Sequence, residues 1–267
     1  MKHVRMALSV LLVTTVSYSY GQTGTRHSVS GRAEVKKNAA EQLAYARQLV
    51  SAIPANADRE QQMSAVMDAV TALRIVADKW PAERAAVTES HLLQARVWLN
   101  RNFLRSALGS LEDAEKSSPG TSAMAQIQSE KGFVYRRMGN NQEAAAAFDR
   151  AEHHPGFHAL PIPTMAATLS EFAEVELQLG RPRDASTHLR AAAELPTLAP
   201  INRLNLLLRS LEANDRAGDK LETKKDLGKL DEVLFEARKS LGTGVGDVAA
   251  INEIEKQVKR HHARLGL

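Results

Sequence analysis

No cysteine occurs among the 267 residues, which excludes a disulfide framework, a thiolate metal site, a cysteine nucleophile and a lipidated cysteine. Long apolar runs are missing as well. The most apolar stretch, MALSVLLVTTV at 6–16, is shorter than the ~20 residues that a membrane-spanning helix needs. It follows Lys2 and Arg5 and precedes Ser19-Tyr20-Gly21, with small residues one and three positions before Gln22. That is the layout of a secretory signal peptide over 1–21, with cleavage expected after Gly21. Eukaryotic secreted domains of this size often use disulfides, so an export signal without cysteine points to a bacterial periplasmic or secreted protein. An uncleaved membrane anchor is the alternative.

A surplus of one charge is also lacking. Lys and Arg number 35 against 31 Asp and Glu; residues 1–21 hold Lys2 and Arg5 and no acidic side chain, so the rest carries 33 against 31, or +2. Such a balance leaves no electrostatic footprint for nucleic acid, and past residue 21 no run is apolar enough for stable membrane insertion. Reaction motifs are missing: there is no Gly-x-Ser-x-Gly elbow, His-Glu-x-x-His helix, calcium-loop spacing or Ser-x-x-Lys. No catalytic residue, metal ligand or cofactor is therefore expected. Sustained strand alternation is absent too, and Ala, Leu, Glu, Gln and Arg fill the periodic segments, as helices require.

Residues 22–38 (QTGTRHSVSGRAEVKKN) are polar and without an apolar period, and read as a mobile arm. From Ala39 the pattern changes. Leu43, Ala46, Leu49 and Val50 recur at three- and four-residue steps, the stripe of an amphipathic helix. The clearest unit surrounds YRRMGNNQEAAAAFDRAEHHP, 135–155. Gly132 and Tyr135 sit on a first helix, which Gly139 ends by taking the left-handed conformation. Asn140, three residues before Glu143, is spaced to cap the next helix reciprocally. Ala144, Phe148 and Ala151 share one face of that second helix. Small residues at Gly132 and Ala144 allow an approach at the lower end of the usual ~8–10 Å range, with Tyr135 and Phe148 filling the volume around them. The unit recurs: Ala144, Phe148, Ala151 and Pro155 correspond to Ala185, Leu189, Ala192 and Pro196 at an offset of 41, and Gly139 to Gly180. Upstream, Ala107, Leu111 and Ala114 match at an offset of 37.

This order of small residue, aromatic, glycine turn, alanine, large apolar residue, alanine and proline resembles a tetratricopeptide (TPR) repeat. The best copy is 125–155. An earlier one has Ala95, Trp98, Ala107, Leu111, Ala114 and Pro119, with Asn102 where the turn glycine falls; a later one has Ala173 and Gly180 but Glu176 at the aromatic position. Fainter copies carry Ala69, Leu73 and Val76, and INRLNLLLRSLEANDRAGD at 201–219. The period departs from the usual ~34 residues, with the extra length in HPGFHALPIPT (154–164), whose prolines preclude a continuous helix. The resemblance implies an all-α fold, a right-handed superhelix of antiparallel helix pairs with about ten helices. It spans 39–241, is clearest over 88–196, and is closed by a linker and capping helix at 242–267 with Val248, Ile251, Ile254 and Val258 on one stripe.

In a TPR-like superhelix the first helix of each pair lines the concave face. The resemblance places Glu89, Leu92, Arg96 and Leu99 there, then Gln126, Ser129, Phe133 and Arg136, then Ala167, Ser170, Glu174 and Leu177. Apolar anchors mixed with charges make a groove for a protein or peptide partner. The Lys, Asn and Arg set that grips a C-terminal carboxylate is not found at these positions. EHHPGFH brings Glu152, His153, His154 and His158 within seven residues, donors that suit zinc or copper; adjacent histidines at a helix end point apart, and a solvated turn is expected. His261-His262 lies among Lys259, Arg260 and Arg264, which repel a cation. GTGVGD (242–247) lacks the strand and Lys-Ser/Thr pair of a phosphate loop and reads as a linker. The expected function is a non-catalytic interaction module or scaffold of the bacterial envelope. The alternatives are a membrane-tethered or self-associating assembly subunit using the end helices or the linker around Phe157 and Ile162, and an exported enzyme or metal protein.

Overall fold

The computed structural model describes residues 34–118, 123–240 and 245–266. The expected signal peptide and the arm as far as residue 33 lie outside the described residues. Eleven α-helices and one 3₁₀ turn, with no strand, make up the described regular structure. They run as hairpins: α1 (Ala39–Ser51) with α2 (Arg59–Lys79), α3 (Arg84–Asn100) with α4 (Leu104–Ser117), α5 (Ala123–Arg137) with α6 (Asn141–Glu152), α7 (Ile162–Gln178) with α8 (Pro182–Ala193), and α9 (Pro200–Arg216) with α10 (Lys220–Ser240). A last helix, α11 (Val245–Leu265), packs on α10 and α9. It begins inside the stretch read as linker. Ile251, Ile254 and Val258 are buried there as expected, whereas Val248 is 41% exposed and stands off the stripe.

Four helix ends share one turn. Asn102, Gly139, Gly180 and Gly218 have φ of 62°, 79°, 75° and 70°. The N–H of the following residue returns to a carbonyl in the last turn of the preceding helix: Phe103 to Trp98 (2.9 Å), Asn140 to Tyr135 (2.9 Å), Arg181 to Glu176 (2.8 Å) and Asp219 to Asn214 (3.0 Å). A left-handed residue with this six-to-one bond is the Schellman termination. Asn102 occupies the position without glycine because a short polar side chain lowers the left-handed penalty. Arg137 supports it, donating to the Asn102 Oδ1 (3.2 Å) and the Leu99 carbonyl (2.9 Å).

The reciprocal cap expected of Asn140 and Glu143 does not form. Asn140 already closes the Schellman turn, and at ψ 74° it makes no side-chain capping bond. The same Asn-x-x-Glu spacing works at the start of α1, which no helix immediately precedes. There Asn38 is extended, its Oδ1 accepts from the Glu41 N–H (2.8 Å), and its Nδ2 donates to Glu41 Oε1 (3.0 Å). Lys36 adds a backbone bond to Gln42 Oε1 (2.8 Å) and lies 4.5 Å from the centre of the Tyr45 ring. The end of the stretch read as a mobile arm is thus fastened to α1.

The predicted small-residue stripe is core: Ala107, Leu111, Ala144, Phe148, Ala151, Ala185, Leu189 and Ala192 are fully buried, as are Ala69, Leu73 and Val76 in α2. Gly132 has a narrower role than helix approach alone. A Cβ there would stand 2.4 Å from Phe148 Cε1 and 2.8 Å from its Cγ, so the bare backbone makes room for the ring. Phe148 in turn meets Phe133 edge-on at 5.3 Å and Phe172 at 5.8 Å between ring centres. The proline-rich linker turns once as a 3₁₀ helix (Phe157–Ala159) and buries Phe157 and Leu160. Phe157 is therefore not a surface for self-association.

Glu176 at an aromatic position has a physical explanation. Trp98, Tyr135, Glu176 and Asn214 occupy equivalent places, each accepting the six-to-one bond. Twelve residues on, the second helix carries Ser110 and Ala147 after the two aromatics, but His188 and Asp226 after the two polar residues. In the later hairpins a polar pair replaces a large residue opposite a small one. His188 Nδ1 lies 2.7 Å from Glu176 Oε2, and Asn214 Nδ2 donates to Asp226 Oδ2 at 2.7 Å. Buried Ser210 also donates to Asp226 Oδ2 (2.7 Å), whereas Asp226 Oδ1 has no hydrogen bond and faces the Arg190 guanidinium at 3.7 Å.

Candidate functional site: the inner face of the repeats

The first helices touch in succession, α1 to α3, α3 to α5 and α5 to α7, while α11 touches α9. Across them runs a ladder of opposite charges. Arg47 pairs with Glu89, Arg96 Nε with Glu130 at 2.8 Å, Arg136 with Glu171, Arg209 with Glu174, and Arg264 with Asp215 through two contacts of 2.6 and 2.8 Å. Arg209 also donates to Ser170 Oγ at 2.6 Å, joining α9 to α7. Exposed ion pairs contribute only ~0–1 kcal/mol each. Their consequence is geometric: every rung but the last ties the first helix of one hairpin to the first helix of the next, and the last ties α9 to the closing helix α11.

The eight residues expected to meet a partner divide into two groups. Leu92 is 6% exposed and Ser129 is fully buried, its hydroxyl donating to the Ala125 carbonyl (3.0 Å). Both belong to the interior instead of lining the wall, Leu92 within the apolar cluster that it forms with residues of α4 and α5. Leu99 is partly buried against the core between α3, α4 and α5. Gln126, Phe133, Arg136 and Glu174 are half-exposed, and Arg96 is exposed. Phe133 stands beside the rungs with its edge contact to Phe148 holding the ring.

Glu174, expected on the concave face, and Glu171 beside it are both rungs. Burial pushes the Glu171 carboxyl above its ordinary value, opposed by the Arg136 charge. Sequence reading missed Arg47, Glu130 and Arg209 as the partners of Glu89, Arg96 and Glu174, and it missed the Asp215–Arg264 pair. A signal existed: Arg96 and Glu130, Arg136 and Glu171, and Glu174 and Arg209 stand 34 or 35 residues apart with opposite sign.

Away from this face, His188 of α8 is held between two carboxylates. Its Nε2 lies 3.0 Å from Glu152 Oε2, its Nδ1 contacts Glu176, and its ring stacks on Phe172 at 4.1 Å. Burial lowers the imidazole pKa, but hydrogen bonds and charge from Glu152 and Glu176 outweigh it and raise the pKa to about 9. The histidines of EHHPGFH do not converge. Exposed His153 approaches Asp149 of its own helix, His154 Nδ1 accepts from the Gly156 N–H (3.0 Å), and Glu152 is engaged by His188. Among the described residues no group of three or more His, Asp or Glu is arranged to hold a metal. No described helix is long and apolar enough to cross a membrane.

No family model matches the chain, and no curated protein matches it. Solved structures do. One is a singly substituted form of the nearly identical TPR-like repeats of a putative kinesin light chain from Podosopora anserina. It is 18% identical, with a TM-score of 0.52 over 78% of this chain and 100% of that one. A second structure of those repeats is 19% identical, with a TM-score of 0.51 over 76% of this chain and 97% of that one. At such identity the likeness is one of fold. Together with the four recurring turns and the alanine-lined hairpins, it makes this chain an all-α solenoid of TPR-like repeats.

Proposed function

We propose that the protein is a non-catalytic scaffold of the bacterial cell envelope whose inner face binds a polypeptide segment. The carrying observation is the half-exposed Phe133 set in a wall whose charges are already paired. A wall neutralised by its own rungs offers no strong field to a charged ligand. It offers a fixed aromatic surface and the guanidinium N–H groups that the carboxylates leave unused, which suit apolar side chains and main-chain carbonyls. The envelope location rests on the leader-like residues 1–21.

The test is recovery of partners from envelope extract with the wild-type chain, Phe133→Ala, and Phe133→Ala/Arg136→Glu/Glu171→Arg. The triple variant restores a rung with reversed polarity, so its fold is kept while the wall changes. We expect the wild type alone to retain its partners. Equal recovery by all three would remove the inner face from the account and leave only the fold.

A further inference from the structure

A second surface lies at the C-terminal hairpin. Between α10 and α11 runs a shallow trough of about 600 Å³, lined by Arg238, Asn252, Glu255, Lys256, Lys259, Arg260 and Ala263. Four of these side chains are cationic and one is acidic. Glu255 serves two of the cations at once: Lys259 Nζ approaches at 2.8 Å, and Arg238 pairs with it while also donating to Asn252 Oδ1 (3.2 Å). Lys256 and Arg260 are exposed and make no ion pair among the described residues. The inner face is different in kind, because there each arginine has its own carboxylate.

We propose that this trough is a docking site for an acidic polypeptide segment, separate from the inner face and independent of what binds there. Charge complementarity identifies the occupant: carboxylates of an incoming chain would supply the counter-charges that the trough lacks. An apolar foothold is adjacent. Phe235, one helical turn before Arg238 on α10, is 73% exposed. An anionic membrane is the poorer fit, because the apolar stripe of α11 (Ile251, Ile254, Val258) is spent on the core and leaves no face to insert. Nucleic acid is poorer still, since the near-neutral chain carries no extended basic track.

The full chain is titrated by fluorescence anisotropy with a labelled glutamate-rich peptide containing leucines, alongside phosphatidylglycerol vesicles and single-stranded DNA. The variants are Lys256→Glu/Arg260→Glu in the trough and Arg74→Glu/Lys79→Glu on distant α2, whose side chains are also exposed. The peptide should bind the wild type and the α2 variant alike, and the trough variant at least about tenfold more weakly. Its affinity should fall with salt, as screening requires. A Lys256→Gln/Arg260→Gln variant should lie between them, with unchanged helical circular dichroism. No peptide binding, equal weakening in the α2 variant, or tighter binding of vesicles or DNA than of the peptide would each overturn the proposal.

Discussion

Gly132→Ala separates tertiary packing from helix propensity, because the two predict opposite signs. Gly132 lies inside α5, where replacing an interior glycine by alanine stabilises a helix by ~1 kcal/mol on backbone grounds. Here the new methyl would stand 2.4, 2.5 and 2.8 Å from three ring carbons of Phe148. The ring cannot swing aside easily: Phe148 is fully buried, with the rings of Phe133 and Phe172 centred 5.3 and 5.8 Å from it. Overpacking of this kind costs ~1–3 kcal/mol. With a clash touching the ring at three atoms, the upper part of that range applies, and a net loss of about 1–2 kcal/mol remains after propensity is subtracted. Urea denaturation followed by circular dichroism measures it. Phe148→Leu in the same background should relieve the contact, so the double variant should be more stable than the sum of the single losses by about 1 kcal/mol or more. If Gly132→Ala raised the stability instead, the placement of Phe148 over Gly132, and with it the α5–α6 packing, would be wrong.

Four residues elsewhere set further outcomes. His188 is raised from 6.5 to about 9, so its contribution is complete below 6.5 and lost as pH rises through 9; it is on the order of 2 kcal/mol after solvent screening. His188→Gln should flatten the stability profile over that window, and parallel profiles would show that the two carboxylates do not hold the imidazolium. Gly139→Ala meets no atom within 4 Å yet keeps a φ of 79°, so it should cost ~1–2 kcal/mol through the backbone alone. Asn102→Gly at φ 62° should cost nothing or stabilise slightly, both read from thermal melts. Asp226→Ala leaves Ser210 and Asn214 as buried donors without their shared acceptor and should cost about 2–4 kcal/mol by chemical denaturation. Asp226→Asn, which keeps a carbonyl acceptor, should lose much less.

The repeats could be read from sequence where their chemistry is local. Gly139 and Gly180 announce left-handed turns, the Ala144, Phe148 and Ala151 stripe announces a packed face, and Asn102 was locatable by its offset. Where a contact joins residues of different repeats, a single stretch of sequence shows only one half of it. Glu171 and Glu174 look like ordinary helix surface until α5 and α9 bring Arg136 and Arg209 beside them. Glu176 looks like a defect in the pattern until His188, which it shares with Glu152, supplies its partner. Leu92 and Ser129 sit at three- and four-residue steps from wall positions, and only the packing of neighbouring helices decides that they face inward. The Asn140 cap failed for another reason: its backbone N–H, which Glu143 would have to reach, is already given to the Tyr135 carbonyl, and at ψ 74° its side chain makes no bond to α6. Asp219 at the equivalent turn does accept from the Glu222 N–H (3.2 Å).

The central claim is that the inner wall is where the protein meets its partner. Site-specific photo-crosslinking in the native host tests it directly, with a photoreactive phenylalanine analogue placed at Arg96 or Gln126 on the inner wall and at Ala146 or Thr187, which are exposed on the second helices. The account predicts polypeptide adducts from the two inner positions and none from the outer pair. Adducts confined to Ala146 and Thr187, with none at Arg96 or Gln126, would contradict it.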